Sequence, residues 1–128
     1  MTKTFFFTEL EVWKEIVSMR REFFSHKEHF LANSRSMFFR KLQLLLLTAT
    51  NTIADGFGRL NYAENIQQMI KSRSALCRFV DAIIFLKEEN IIESTLSDLF
   101  ESKGKNCIIL LDDYIKEELI FKRKIKLS

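Results

Sequence analysis

"DGFGRLNYAE", residues 55 to 64, places two of the chain's three glycines two positions apart in a sequence of 128 residues without a single proline. Three readings of that spacing compete: a phosphate-cradling loop, a kinase-like Asp-Phe-Gly element, and a stop between two helices. A phosphate loop needs Gly-x-x-x-x-Gly-Lys-Ser/Thr, or Gly-x-Gly-x-x-Gly after a strand, and neither the residues nor a strand pattern occur here. The kinase reading fails because Gly56 separates Asp55 from Phe57, and no kinase lysine or catalytic-loop motif is present. The helix stop remains. Gly56 or Gly58 in the left-handed conformation would end one helix, with Phe57 folding back onto the core. Asn61, with Glu64 three residues on, forms a capping box that opens the next.

The helix that stops there is "MFFRKLQLLLLTATNTIADGF", with Ser34 or Ser36 as its cap. Phe38, Leu42, Leu45, Ala49 and Ile53 make one apolar stripe, while Met37, Leu44 and Leu47 point elsewhere. Such a helix is either covered on all sides at the centre of the fold or packs against a second subunit, and both readings stay open.

Upstream, Thr8 and Glu11 form a capping box, and Phe7 and Val12 stand where a hydrophobic staple closes. Val12, Ile16, Met19, Phe23, His26 and Phe30 then recur at helical spacing, which predicts one helix from about Glu9 to about Leu31. Downstream, Ile66, Met69, Leu76, Cys77, Val80 and Ile83 define a third helix that Asn90 closes. Arg73 falls on its apolar stripe and must reach a carboxylate such as Asp55 or Asp81, or else extend to the core's edge. Leu96, Leu99, Phe100, Cys107, Leu111 and Ile115 define a fourth, with Gly104 marking a kink or a close helix contact. The expected fold over residues 1–128 is therefore a single all-α domain, an antiparallel up-down-up-down four-helix bundle.

The composition excludes several function classes. Hydrophobic residues make up 47% and charged residues 29%, a globular and not a disordered balance. Two cysteines thirty positions apart in apolar segments imply no disulfide framework and fit a reducing compartment. "MTKTFFFTELE" lacks a signal peptide's apolar core, and "LLLL" at 44–47 is too short to span a bilayer, so a cytoplasmic location away from membranes is expected. A net charge of +3 permits an acidic or nucleic-acid partner without requiring one.

"FTELEVWKE", "TIADGFGRLNYAE" and the four-helix spacing resemble the bacterial four-helix bundle proteins encoded within intervening sequences of large-subunit ribosomal RNA genes. Leu10, Val12 and Trp13 match that family's opening, and Glu64 its later acid. Ile53, Ala54, Gly56, Phe57, Gly58 and Arg59 match the motif that ends its second helix, with Asp55 replacing a glutamate. The chain departs from the family where a pair of arginines and a proline are usual, having Gln43, Leu44 and Thr50 near those places. The resemblance implies a non-enzymatic homo-oligomer, often a pentameric barrel. It also extends to the accessory proteins of diversity-generating retroelements, which bind structured RNA and a reverse transcriptase.

The first functional expectation is thus an oligomeric interaction module associated with RNA or a protein partner, or purely a protein scaffold. Its phosphate-neutralising residues would be Arg20 and Arg21 on the first helix and Arg35, Arg40 and Lys41 at the start of the second. Arg59 at the motif, Lys71 and Arg78 on the third helix, and Lys122, Arg123, Lys124 and Lys126 in the tail would complete the set. Met37, Leu44 and Leu47 would form the subunit interface. The alternative is an all-helical ribonuclease of the HEPN type, because Arg21 and His26 have that class's Arg-x4-6-His spacing. There the arginine would hold the scissile phosphate and the histidine would act as general acid or base. Against it, the class's motif lies near the domain's end, and His26 falls on the apolar stripe while Arg21 lies on the solvated side.

No catalytic site, cofactor or metal is expected. Di-iron bundles need paired Glu-x-x-His motifs, but Phe23 stands three residues before His26, and His26 three before His29. Neither Cys77 nor Cys107 has an adjacent histidine to act as base.

Overall fold

Every regular element among the described residues is helical. The computed structural model describes residues 6–31 and 36–127, with side chains over 6–30 and 36–121. A 3-10 turn at Phe7–Glu9 leads into α1 (Glu11–Ser25) and the single-turn α2 (Glu28–Leu31). The long helices α3 (Ser36–Phe57), α4 (Tyr62–Glu88) and α5 (Ser94–Leu127) follow.

The first helix is shorter than its periodicity predicts. α1 begins at Glu11 behind Leu10, with no side-chain cap, so Thr8 and Glu11 do not form the expected box; instead the Glu9 carboxylate accepts the Phe6 N–H at 3.3 Å. At the other end the Ser25 hydroxyl donates to the Glu22 carbonyl at 2.5 Å, a local bond that competes with the helical ladder. The His26 and Lys27 N–H groups reach back only three residues, to Phe23 and Phe24 at 3.1 Å. The chain bends there before α2. Phe23 and Phe30, on either side of this break, are both fully buried.

One buried cluster draws on every helix. Phe23 stacks on Phe39 of α3 at 5.1 Å and meets Phe79 of α4 at 5.6 Å and Phe100 of α5 at 5.3 Å, both edge-on. Around this hub lie Ile16 and Met19 from α1, Leu42, Leu46 and Ile53 from α3, Met69, Leu76 and Ile83 from α4, and Leu111 from α5. On α3 Leu42, Ala49 and Ile53 are buried as expected, but Phe39 and Leu46 take the places of Phe38 and Leu45, which are only partly buried, so the core stripe is rotated slightly from the expected one. Buried hydroxyls tie the backbones together: Ser72 donates to the Ala49 carbonyl at 2.8 Å and Ser97 to the Ile83 carbonyl at 3.4 Å.

The glycine pair works differently from the left-handed stop expected of it. Neither Gly56 nor Gly58 has a positive φ, and α3 runs through Gly56 to Phe57. Gly56 is buried against α4, where an added Cβ would stand 2.8 Å from Asn65 Oδ1 and 3.0 Å from both Gln68 Cβ and Met69 Cε. Its requirement is room for the neighbouring helix. Gly104 plays the same part between α5 and α4, since a Cβ there would meet Val80 Cγ2 at 2.6 Å. The Arg59 N–H closes the end of α3 on the Gly56 carbonyl at 3.1 Å, a tightened last turn.

The next two boundaries follow their sequence signals. Asn61 caps α4, its side chain accepting from the N–H groups of Ala63 at 2.8 Å and Glu64 at 3.3 Å. Asn90 takes the left-handed conformation, φ 57°, between α4 and α5. Arg73 reaches a carboxylate at the edge of the core, as expected, but a different one from Asp55 or Asp81. It pairs with Asp112 of α5, Nε to Oδ1 at 2.5 Å, at the half-exposed edge of the core.

Gly56→Ala should destabilise the chain by about 1–3 kcal/mol through overpacking against α4. At Gly58 the nearest atom to an added Cβ is a carbonyl oxygen at 3.4 Å, so Gly58→Ala should change stability by less than about 1 kcal/mol. Urea unfolding of both variants measures the difference, and equal effects would refute the close-approach assignment.

Candidate interaction surface

The outer side of α3 carries what the core does not use. Met37, Leu44 and Leu47 are 60%, 62% and 43% exposed, and Phe24 of α1 and Phe85 of α4 flank them in the open. Helical geometry explains this. Residues 39, 42, 46, 49, 50 and 53 are buried on one side, which turns 37, 44 and 47 outward.

Leu44 forms the ridge between two furrows. On the α1 side, Arg20, Phe24, Phe39, Arg40, Gln43 and Leu47 line a shallow furrow together with it. Arg20 is held there by a 2.8 Å bond from Nη1 to the Thr50 hydroxyl, and the Gln43 Oε1 is buried without a hydrogen-bond partner. On the α4 side lies a larger furrow of about 770 Å3, with Leu42, Leu45 and Ala75 in its floor and Lys41, Lys71 and Arg78 along it.

The basic residues singled out from the sequence thus fall into three groups. Arg20, Arg40, Lys41, Lys71 and Arg78 gather around α3. Arg21 is exposed on α1 beside Trp13 and Lys14. Arg59 is engaged locally, 3.0 Å from Asp55 and 4.0 Å from Glu64, which lowers its pull on a phosphate. Arg35 and the side chains of Lys122, Arg123, Lys124 and Lys126 lie outside the described residues.

The "ADGFGR" segment organises a helix junction. Ile53 and Gly56 are buried, Ala54 and Phe57 half-buried, and Asp55, Gly58 and Arg59 exposed. The Asp55 carboxylate accepts from both Arg59 and the Gln68 side-chain amide of α4. Phe57 meets the rings of Phe6 and Phe7 at 5.8 and 6.1 Å. The polar layer here, buried Asn65 and Gln68 beside Gly56, is something sequence reading missed, because neither residue type nor its spacing marks it for burial.

His26 stands half-buried at the end of α1, 5.8 Å from the Phe100 ring and 5.6 Å from His29. Arg21 is exposed a turn and a half earlier, directed about 140° away around the helix axis. No group of three or more His, Cys, Asp or Glu suited to a metal occurs among the described residues. Burial pushes the Cys107 thiol up to about 12, with the Glu15 charge adding to the shift, so it stays protonated at neutral pH. Burial also pushes the Tyr114 hydroxyl up to about 12, helped by the charge of Glu118, whose own carboxyl is raised by burial.

No family model matches this chain, and no curated protein matches it. No helix among the described residues is long and apolar enough to cross a membrane.

Cys77 is half-buried, with its sulfur 3.7 Å from the Arg73 guanidinium, whereas Cys107 is buried. Iodoacetamide at neutral pH should therefore label Cys77 well before Cys107, the latter only on unfolding. Peptide mapping by mass spectrometry reads the order, and reversed order would contradict the burial described for α5.

Proposed function

We propose that this chain is a non-enzymatic interaction module that assembles with copies of itself through the outer face of α3. The observation that carries the reading is the exposure of Met37, Leu44 and Leu47 together on one helix. Covering the roughly half of each side chain still exposed would recover on the order of 1 kcal/mol apiece, about half of the value for full burial. Membership of the ribosomal RNA intervening-sequence family, on the motif Ile53–Arg59, fits this reading and would make the assembly a pentamer.

The proposed architecture beneath it is an up-down-up-down antiparallel four-helix bundle. Cross-helix pairs support it. Phe7, in the turn that leads into α1, meets Phe57 while Phe23 meets Phe39, so the start of α1 lies towards the end of α3 and its end by the start of α3. Phe38 meets Phe85 while Asp55 meets Gln68, and Lys87 meets Asp98 while Arg73 meets Asp112, the same crossing order in each successive pair.

Light scattering at micromolar concentration should give a mass several times the 15.2 kDa of one chain. Leu44→Glu should yield a smaller species with unchanged helical content, because a charge is placed in the covered patch. A wild-type mass of one chain would defeat the proposal.

A second reading, association with structured RNA, is favoured by one observation: Arg40, Lys41, Lys71 and Arg78 make no ion pair among the described residues and lie around one helix. If they neutralise phosphates, affinity should fall steeply from about 50 to about 200 mM salt, log K dropping by ~0.7–0.9 per log unit of salt for each contact. Filter binding measures the slope, and a flat response would remove this reading. The ribonuclease alternative has no such observation in its favour.

A further inference from the structure

The furrow between α3 and α4 has a chemistry that self-association does not explain. Its floor is apolar, and Ser74, Ala75 and Ala82 keep the α4 wall low, which leaves space for another rod to settle between the two helices. The rings of Phe38 and Phe85, 6.4 Å apart, close one end. The α4 residues lining it run from Lys71 to Phe85, about 21 Å of helix, or four turns.

The furrow carries an excess of cations over acids along its length. Arg59, Arg73, Lys87, Lys103 and Lys105 each have a carboxylate partner. Lys41, Lys71 and Arg78 have none among the described residues, and the only acid lining the furrow is Asp81. Three cations against one acid over an apolar floor call for an occupant that is apolar on one side and anionic at its flanks.

We propose that this furrow binds an acidic amphipathic helix of a partner protein, with its apolar side chains on Leu42, Leu45 and Ala75 and its carboxylates on Lys41, Lys71 and Arg78. Helix-in-groove recognition of this kind uses anchors at i, i+4, i+7 and i+11, and four turns accommodate four of them. A second copy packed by a two-fold axis along α3 is disfavoured, because it would bring these cations against their own symmetry mates. Nucleic acid would satisfy the cations but leave the apolar floor unfilled. The proposal goes beyond self-association, which uses the ridge and the α1 side of α3.

The test uses the full chain and a labelled designed peptide of about 14 residues, with leucines at those four spacings and flanking glutamates. Its counterpart has every glutamate replaced by lysine. In fluorescence anisotropy the acidic peptide should bind saturably and more weakly as salt rises, while the lysine peptide should not bind. The exposed double variant Lys71→Glu/Arg78→Glu should weaken binding by about tenfold or more. Leu47→Glu, outside the furrow, should lower the assembly mass and leave peptide affinity unchanged, which separates failure of this inference from failure of the assembly reading. Equal binding of both peptides, wild-type affinity in the double variant, or no binding at the highest soluble peptide concentration would overturn the proposal. So would displacement of the peptide by structured RNA that the double variant no longer binds, an outcome that assigns the furrow to nucleic acid.

Discussion

The ring of Phe23 touches four other helices' worth of structure from a single position on α1. It stacks on Phe39, lies tilted against Phe30 at 5.0 Å, and meets Phe79 and Phe100 edge-on. Offset and edge-on contacts of this kind each add about 0.5–1.5 kcal/mol beyond area burial. Their larger consequence is geometric. α2, α3, α4 and α5 must all approach one point, and the break after Ser25 follows, because a continuous helix would carry Phe30 past the cluster that it joins.

With that point set, the separation of helices becomes a matter of backbone. Gly56 lets α3 close on α4, and Gly104 lets α5 close on the same helix from another side. α4 is therefore gripped twice, and Ser72 and Ser97 satisfy their buried hydroxyls across those contacts. The ion pairs of α4, Arg73 with Asp112 and Lys87 with Asp98, lie at the half-exposed rim, where they select register more than they add stability.

The outer side of α3 is the remainder of this arrangement. Its inner residues are consumed by the core, while its outer ones combine large apolar side chains with cations that make no ion pair among the described residues. The proposed self-association along the ridge and the proposed acidic helix in the α4-side furrow would be separate uses of adjacent surface. They differ in what they require: the first needs apolar area, the second needs charge.

Helix identity was legible from local pattern, because the apolar period of α1, α3, α4 and α5 and the caps at Asn61 and Asn90 are decided within a few residues of chain. The outward turn of Met37, Leu44 and Leu47 was legible for the same reason. What Gly56 does was not, since its partners Asn65, Gln68 and Met69 belong to the next helix and a glycine before a capping residue reads equally well as a stop. Nor was the partner of Arg73, which lies 39 residues away and depends on the register between α4 and α5. The bend at His26 escaped because the apolar period continues through it to Phe30, and only the aromatic cluster decides that the backbone must turn. Local periodicity determined where the helical stretches lie and, to within about one residue, which face each buries. Tertiary packing alone decided how closely the helices approach, which polar groups meet, and which cations share a furrow, because those depend on rotations and registers that no single helix encodes.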